Sequence, residues 1–348
     1  MRAAILEHTQ EPLAITDIDP PTPEPHGVVL DVEACGICRS DWHGWMGHVP
    51  GVEGAILGHE PVGNVLEVGE DVDRIREGDR VAAAMNLADG SCHRCLNGNS
   101  HRCENGRVFG MDGSTQGAWA EQLAVPWADV NTVRLPEGVS PVEMAGLGCR
   151  FMTAFHALAH RADLEAGDWV AVHGCGGIGL SAVNIGAALG ATVVAIDLDD
   201  DTLALAEDLG ADVTLNASDV EDIPGTIIDI TDGGADISID ALGIADTCQN
   251  SIDSLGMFGQ HVQIGVPTAE DEDVPLPISA MLGKEIDLLG SVGMPPTRYD
   301  EILRMLAHEK VQPDALITRE VSLDEVSERL EAMTNYETRG IEVITSFA

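Results

Sequence analysis

Lysine is almost absent from this chain of 348 residues, which contains only Lys284 and Lys310. Lysine and arginine together number 18 against 59 acidic residues, and the net charge at pH 7 is −41. Such a charge repels the phosphates of nucleic acids and the headgroups of anionic membranes. We therefore expect no nucleic-acid partner and no membrane partner.

Long apolar runs are also missing. A membrane span needs about 18 or more consecutive apolar residues, and the sequence has no such stretch. The first residues, MRAAILEHTQEPLAITDI, carry acidic side chains where a secretory signal needs an apolar core and a small-residue cleavage site. We therefore expect a cytoplasmic protein. Eight cysteines in a long cytoplasmic chain favour metal binding or catalysis over a disulfide framework.

The acidic residues are spread along the chain, as in DLDDDTLALAEDLGAD (197–212), and are not gathered into a tail. This pattern is typical of proteins from halophiles, because molar salt shortens the Debye length to about 3 Å and screens the self-repulsion. In dilute buffer the same charge destabilises the folded state. We predict a halophilic protein of archaeal origin, and the alternative is an ordinary acidic protein.

The pattern of the chain changes near residue 150. The first third is rich in glycine, proline and β-branched residues, which predicts an irregular β domain with strands at 28–34, 61–68 and 80–84. After that point strands alternate with helices, including predicted helices at 177–189 and 200–209, which is typical of a doubly wound parallel sheet. Two amphipathic helices and a closing strand, GIEVITSF, end the chain. The predicted segments are 1–150, 151–291 and 292–348.

A glycine-rich loop lies between an apolar strand and an apolar helix in WVAVHGCGGIGLSAVNIGAALGA. This context supports a dinucleotide site, in which glycines allow a tight turn, close approach of the pyrophosphate and close helix packing. The helix amino terminus then faces the phosphates. The predicted cofactor-binding residues of this loop are Gly174, Gly176, Gly177, Ile178 and Gly179.

The next strand ends at Asp197, in VVAIDLDDD. A carboxylate at this point accepts hydrogen bonds from the ribose hydroxyls of the adenosine, which favours NAD as the cofactor. The 2′-phosphate of NADP would meet several acidic side chains there, although molar salt weakens that repulsion.

Cysteine and histidine side chains recur in two further parts of the chain. ACGICRSDWHGW, ILGHEPVGNV and GLGCRFMTAFHAL contribute Cys35, Cys38, His43, His59, Glu60 and Cys149. Thiolates with one imidazole suit zinc, and three protein ligands with an open fourth position are typical of a catalytic zinc site. Spacing alone does not choose between Cys35 and Cys38. In ADGSCHRCLNGNSHRCENG (88–106), three more cysteines lack a fourth thiolate.

These motifs occur in the order seen in zinc-dependent alcohol dehydrogenases of the medium-chain dehydrogenase/reductase superfamily, which the whole chain resembles. The resemblance rests on GICRSDWH, GHE, EGDRV, the cysteine loop, GCGGIG and the aspartate at the strand end. It implies an α/β protein with a GroES-like, β-rich catalytic domain, a Rossmann domain, and an active site in the cleft. It also implies a homodimer or homotetramer.

The resemblance assigns roles to individual residues. Cys38, His59 and Cys149 would bind the catalytic zinc, with Glu60 as a possible fourth ligand and Asp41 holding the far nitrogen of His59. Ser40 would hydrogen-bond the substrate oxygen, and His43 would end the proton relay. Arg39 would contact the cofactor pyrophosphate. The family often has a second pyrophosphate-binding arginine, just after a glycine near the carboxyl end. Here Arg339 precedes Gly340 instead, so either Arg339 substitutes for that arginine or the contact is lost.

The same resemblance places a structural zinc in the cysteine loop, where the family has four cysteines spaced C-x2-C-x2-C-x7-C. Here Cys92, Cys95 and Cys103 match, and Asp89 occupies the first position. A carboxylate oxygen is a workable zinc ligand, so we predict one aspartate and three cysteines. The alternatives are His93 or His101 as the fourth ligand, or a loop without metal.

The predicted function is reversible hydride transfer from a primary or secondary alcohol to NAD, giving an aldehyde or ketone. A polyol or sugar dehydrogenase of the same superfamily is the alternative within this class. A scaffold protein that binds zinc and NADH without turnover is the alternative from another class.

Overall fold

The structure is a computed structural model that describes residues 1–268 and 273–348. The chain divides into two compact units. The first unit comprises Met1–Cys149, Gly293–Arg304 and Pro313–Ala348, and the second comprises Arg150–Val292 and Met305–Gln312. This division differs from the predicted segments at Arg150, Val292 and Met305–Gln312, which belong to the second unit. The amide of Gln312 donates to the side-chain oxygen of Asn184 at 3.0 Å, within the second unit.

The described strands, in chain order, are β1 (Arg2–Ile5), β2 (Ala14–Asp17), β3 (Val28–Ile37), β4 (Pro61–Val68), β5 (Arg80–Ala83), β6 (Asn86–Leu87), β7 (Arg107–Val108), β8 (Gln122–Val125), β9 (Thr132–Arg134), β10 (Trp169–His173), β11 (Thr192–Asp197), β12 (Val213–Asn216), β13 (Ala235–Asp240), β14 (Leu255–Gln263), β15 (Asp287–Gly290), β16 (Ile317–Ser322) and β17 (Ile341–Ser346).

The described α-helices are α1 (Arg39–Met46), α2 (His93–Leu96), α3 (Ala128–Asn131), α4 (Pro141–Gly146), α5 (Cys149–His156), α6 (Gly177–Leu189), α7 (Asp200–Asp208), α8 (Ile223–Ile230), α9 (Ala245–Asp253), α10 (Ile278–Lys284), α11 (Tyr299–Ala307), α12 (Pro313–Leu316) and α13 (Val326–Thr334). None of the helices in the described ranges is both long and apolar enough to cross a membrane.

The first unit is built on a mostly antiparallel sheet with the strand order β16-β17-β3-β4-β5-β9, and β8 also pairs with β3. The long strand β3 is its centre, since it pairs with β4, β8 and β17. Buried β-branched and leucine side chains of β3 and β4 pack into one apolar core with Trp119 and Phe109. The predicted β-rich domain is confirmed. The two segments at either end of the chain meet here, because β17 pairs with the end of β3, beside Cys35.

The second unit contains a six-stranded sheet with the order β12-β11-β10-β13-β14-β15, in which every neighbouring pair is parallel. Its central strand β10 is buried from Val170 to His173, as a strand covered on both faces must be. The predicted helix 177–189 is confirmed as α6, and the predicted helix 200–209 as α7. The doubly wound sheet predicted from the alternating pattern is thus confirmed.

Candidate active site and metal centres

Strand β3 ends immediately before Cys38, which is the residue that precedes the first turn of α1. The carboxylate of Asp41, in that turn, accepts a hydrogen bond from the amide of Cys38 at 3.0 Å. This is the geometry of a capping box, which satisfies an amide that the helix itself leaves without a partner. The helix start therefore fixes the backbone that carries the Cys38 thiol.

The same carboxylate also holds His59. Its Oδ1 accepts hydrogen bonds from Nδ1 of His59 at 2.8 Å and from the amide of Gly58 at 3.0 Å. Both side chains are buried, since Asp41 is 0% exposed and His59 is 1% exposed. Although burial disfavours a charged ring, the Asp41 carboxylate and the Cys38 thiol raise the pKa of His59 well above its ordinary value. Asp41 thus orients two candidate ligands at once.

Cys38, His59 and Cys149 come together in the first unit, with ligating atoms within 4.8 Å of one another. The other ring nitrogen of His59, Nε2, is buried and has no hydrogen-bond partner among the described residues. A buried nitrogen without a partner is costly unless a metal ion takes that place, and two thiols with one imidazole are a donor set for zinc. The residues fit a zinc ion, and Cys35 lies outside their cluster.

Glu60, which follows His59, is 3% exposed. A Cβ at Gly148 would lie only 2.8 Å from Cγ of Glu60, so the lack of a side chain at Gly148 leaves room for the glutamate. The phenol of Tyr299 is also buried, and burial, followed by the charges of Glu60 and Cys149, raises its pKa. Tyr299 is not among the site residues predicted from the sequence, because it occurs in an otherwise ordinary amphipathic helix.

Ser40 and His43 project from α1. Oγ of Ser40 is 3.8 Å from Sγ of Cys38. His43 is half-buried, and burial, with Arg39 and His48 nearby, lowers its pKa to about 4. Its Nδ1 contacts Nδ1 of His48 at 2.9 Å. His48, which contacts the predicted site residue His43, is likewise not among the residues predicted from the sequence.

Arg39 is held by aromatic and backbone contacts. Its guanidinium lies 3.9 Å from the centre of the Trp42 ring and 4.7 Å from that of Tyr336, and it donates to the carbonyl of Met333 at 2.6 Å. Stacking of this kind fixes the plane of a guanidinium and leaves further N–H groups for a ligand. Arg339 is exposed.

A second cluster lies in the cysteine loop, where Asp89, Cys92, Cys95 and Cys103 bring their ligating atoms within 4.8 Å of one another. Oδ1 of Asp89 is 3.2 Å from Sγ of Cys103 and 3.7 Å from Sγ of Cys95. Sγ of Cys92 is 3.4 Å from Sγ of Cys95. All four residues are half-buried, and they fit a closed four-coordinate zinc site.

The carboxylate of Asp89 is oriented by neighbouring side chains. Its Oδ2 accepts hydrogen bonds from Nδ2 of Asn105 at 2.7 Å and from Oγ of Ser91 at 2.8 Å. These contacts, that of Asn105 first, hold the pKa of Asp89 well below its ordinary value. Oδ1 is thereby directed at the thiols. His93 and His101 lie outside this cluster.

In the second unit, the glycine loop joins β10 to α6 as the sequence predicts. Gly174 has φ +87°, and a Cβ on Gly179 would overlap the carbonyl oxygen of Gly174. A Cβ on Gly176 would meet no atom within 4 Å, so open space adjoins the amino terminus of α6. That helix begins at Gly177, followed by Ile178. The backbone N–H groups of a first helical turn point toward this end of the helix, where they can bind an anion.

Asp197 closes this loop from the end of β11. Its Oδ2 accepts a hydrogen bond from the amide of Cys175 at 2.7 Å, and its Oδ1 accepts one from the amide of Leu198 at 2.8 Å. The glycine loop and the strand end are therefore tied together by one carboxylate. Oδ1 also accepts a hydrogen bond from the amide of Asp199 at 3.1 Å, so the lone pair that remains for a ribose hydroxyl is on Oδ2.

Comparison with known proteins agrees with this geometry. Residues 24–137 match the alcohol dehydrogenase GroES-like domain, and residues 177–308 match the zinc-binding dehydrogenase domain. An alcohol dehydrogenase of Moraxella sp. (strain TAE123) is 34% identical over 348 residues, covering 99% of each chain. The chain belongs to the zinc-type alcohol dehydrogenase family.

Two further relatives support the assignment. An alcohol dehydrogenase of Geobacillus stearothermophilus is 32% identical over 343 residues, covering 98% of this chain and 97% of the relative. The solved alcohol dehydrogenase TADH from Thermus sp. ATN1 is 30% identical, with a TM-score of 0.91 over 99% of this chain and 100% of that one. The GroES-like and Rossmann architecture is confirmed, and the protein is an oxidoreductase that acts on CH–OH groups. Solved neighbours with this fold contain NADP or NAD, and this chain carries a Cys/His cluster that fits zinc.

Proposed function

We propose that this alcohol dehydrogenase oxidises primary or secondary alcohols reversibly, with NAD as the hydride acceptor and with Cys38, His59 and Cys149 as the ligands of the catalytic zinc. The observation that carries the proposal is the buried Nε2 of His59, which lies in a cluster with two thiols and lacks a partner among the described residues. Three protein ligands leave one position for a substrate oxygen or for Glu60.

The chain's own residues divide the remaining work. A bound zinc ion supplies Lewis-acid stabilisation of an alkoxide. Asp41 keeps Cys38 and His59 in place through its hydrogen bonds to the Cys38 amide and the His59 ring. Ser40 would take the proton of the alcohol, and His43 would carry it outward as a neutral base.

The cofactor preference follows from the end of β11. Asp197 would accept the hydroxyls of the adenosine ribose, while Arg39, and Arg339 if it substitutes for the family's arginine, would neutralise the pyrophosphate. Three further acidic residues follow closely, at Asp199, Asp200 and Asp201. A 2′-phosphate would be repelled by this group, which favours NAD over NADP.

The cysteine loop would hold a second, structural zinc through Asp89, Cys92, Cys95 and Cys103. Four protein ligands leave no position for a substrate, so this ion would stabilise the loop without taking part in turnover. The closeness of the Asp89 oxygen to Cys103 and Cys95 supports Asp89 over His93 and His101 as the fourth ligand.

We also propose the conditions in which the enzyme works, which are high salt and a reducing cell interior. The net charge of −41 supports adaptation to high salt, in a halophilic archaeon. None of the eight cysteines forms a disulfide, which supports a reducing, cytoplasmic location. Unfolding measured in dilute buffer and in molar KCl tests the first point, and a higher midpoint in dilute buffer would contradict it.

A symmetric oligomer is supported by the edge of the parallel sheet. β15 is the last strand of the described sheet, and large apolar side chains are exposed on it and on the preceding helix α10. Leu288 is 40% exposed, Ile278 62% and Leu282 79%. An edge strand can pair with its own copy about a two-fold axis, which would cover these side chains. Sedimentation in molar KCl distinguishes a dimer or tetramer from a monomer.

Initial rates of NADH formation in molar KCl test the function. The substrate set contains short alcohols, benzyl alcohol, glucose and sorbitol, each with NAD and with NADP. We expect turnover of simple alcohols with NAD. Turnover of sorbitol alone would indicate a polyol dehydrogenase, and a preference for NADP would contradict the role given to Asp197.

A further inference from the structure

His43 and His48 form a contact that α1 builds at its carboxyl end. Gly47 ends the helix in the left-handed conformation, with φ +85°, and the amide of His48 donates to the carbonyl of His43 at 3.0 Å. The chain therefore turns back on itself, and the two rings meet with their Nδ1 atoms 2.9 Å apart. Glycine is the residue that adopts this conformation without strain.

A hydrogen bond between two ring nitrogens requires one N–H and one lone pair. The two Nδ1 atoms therefore share a single proton, and the rings cannot both be cations while the contact lasts. The rings also differ in their access to water, because His43 is half-buried and His48 is exposed. Water can thus take a proton from His48 more easily than from His43.

Burial disfavours a charged His43 most strongly, and most of the charged groups nearby add to that effect. Arg39 lies close to His43 and disfavours a second positive charge there, as His48 does, whereas the thiol of Cys38 has the opposite effect. His48 packs against the edge of the Trp42 ring, at a centroid distance of 5.5 Å. A proton received by His43 is therefore better passed on than retained.

We propose that His48 is the outlet of the proton path: His43 receives a proton at Nε2 and passes its Nδ1 proton to Nδ1 of His48, which loses its Nε2 proton to water. One N–H bond forms and one breaks on each ring, and no electrons are exchanged. The inference rests on the proposed function, because the proton in question is the one released by alcohol oxidation. His48 acts through His43, and the reverse reaction uses the same steps backward.

The test follows NADH formation and proton release together in the holoenzyme after rapid mixing with NAD and an alcohol. A pH-indicator dye in weakly buffered molar KCl reports the proton. The variants are His48→Ala and His48→Asn, because asparagine keeps a hydrogen-bond acceptor but carries no proton. His26→Asn, at an exposed histidine 3.7 Å from Asp71, is the matched control.

In the wild type and in the control, we expect proton release to keep pace with NADH formation. In both His48 variants, proton release should slow by roughly tenfold or more and recover when imidazole is added. Wild-type release in His48→Asn would reduce His48 to a hydrogen-bond partner, and wild-type release in His48→Ala would remove any role. Slow release that imidazole does not restore would point to a structural effect and also overturn the proposal. Failure of the proposed function looks different, because no NADH would form even in the wild type.

Discussion

The two cysteine clusters of the first unit differ in how the chain builds them. Cys38, His59 and Cys149 come from three distant parts of the sequence and are all buried. Asp89, Cys92, Cys95 and Cys103 come from one short loop and are half-buried. The first cluster depends on the fold of the whole unit, whereas the second depends on local turns.

The number of ligands differs as well. The buried cluster offers three protein donors, and the loop cluster offers four. We therefore propose that similar thiol chemistry has two roles here, because an open position allows a substrate to bind while a closed set of ligands only stabilises the loop. The buried site also lies in a medium of low dielectric, which strengthens any charge interaction made there.

Removal of one thiol from each cluster should change kcat/KM by very different amounts, and this is the largest effect that we expect. Cys38→Ser is expected to lower kcat/KM for alcohol oxidation by roughly 10³-fold or more, because the stabilisation of the substrate oxygen by the metal is lost. Cys92→Ser should leave kcat/KM of the folded enzyme near the wild-type value. Steady-state kinetics at equal folded concentration decide this, and a similar loss in both variants would contradict the assignment of separate purposes.

Removal of Asp41 should weaken metal binding at the buried cluster alone. We expect Asp41→Ala to lower zinc affinity there by roughly 10–100-fold, because Cys38 and His59 lose the carboxylate that orients them. Competition with a chromophoric chelator measures the loss. Asp17→Ala, at an exposed aspartate at the end of β2, is the control. Unchanged affinity in the Asp41 variant would show that the fold alone orients the ligands.

Removal of Asp89 should affect stability more than catalysis. Asp89→Ala is expected to lower zinc content from two ions to one and to lower the apparent Tm by on the order of 5 °C, because a folded-state ligand is lost. Asp89→Cys restores a fourth donor and should keep both properties. Metal analysis and thermal melts in molar KCl measure them, and two zinc ions in Asp89→Ala would mean that another group completes the site.

A smaller effect is expected from Asn105, which donates to the Asp89 oxygen that does not face the thiols. Asn105→Ala should weaken zinc at the loop cluster by about tenfold, because the carboxylate gains freedom to rotate. The buried cluster should keep its affinity. Asn97→Ala, in the same loop but with a side chain that donates to the carbonyl of His93, is the control. Equal weakening at both clusters would indicate a general loss of stability.

The loop cluster illustrates what the sequence could predict. The regular spacing of Cys92, Cys95 and Cys103 indicates a local metal site, and the structure brings these residues together with Asp89. The glycine loop was equally predictable from the sequence, because its glycines and the helix that follows occupy one continuous stretch. Such features depend on neighbours in the chain.

The buried cluster illustrates the limit. Residue spacing left Cys35 and Cys38 equivalent, and only the family resemblance chose between them, because partners far along the chain are brought close by the sheet. Tyr299 and His48 were not identified at all. The first comes from a distant helix. The second depends on the local left-handed turn at Gly47, and residue spacing alone does not show that this turn brings the rings of His43 and His48 together.

We propose that the first unit holds two zinc ions at two different kinds of site. Anomalous X-ray diffraction at the zinc absorption edge, on crystals of the wild-type enzyme grown without chelator, tests it most directly. We expect one peak among Cys38, His59 and Cys149 and another among Asp89, Cys92, Cys95 and Cys103. The absence of a peak from either cluster would contradict the proposal.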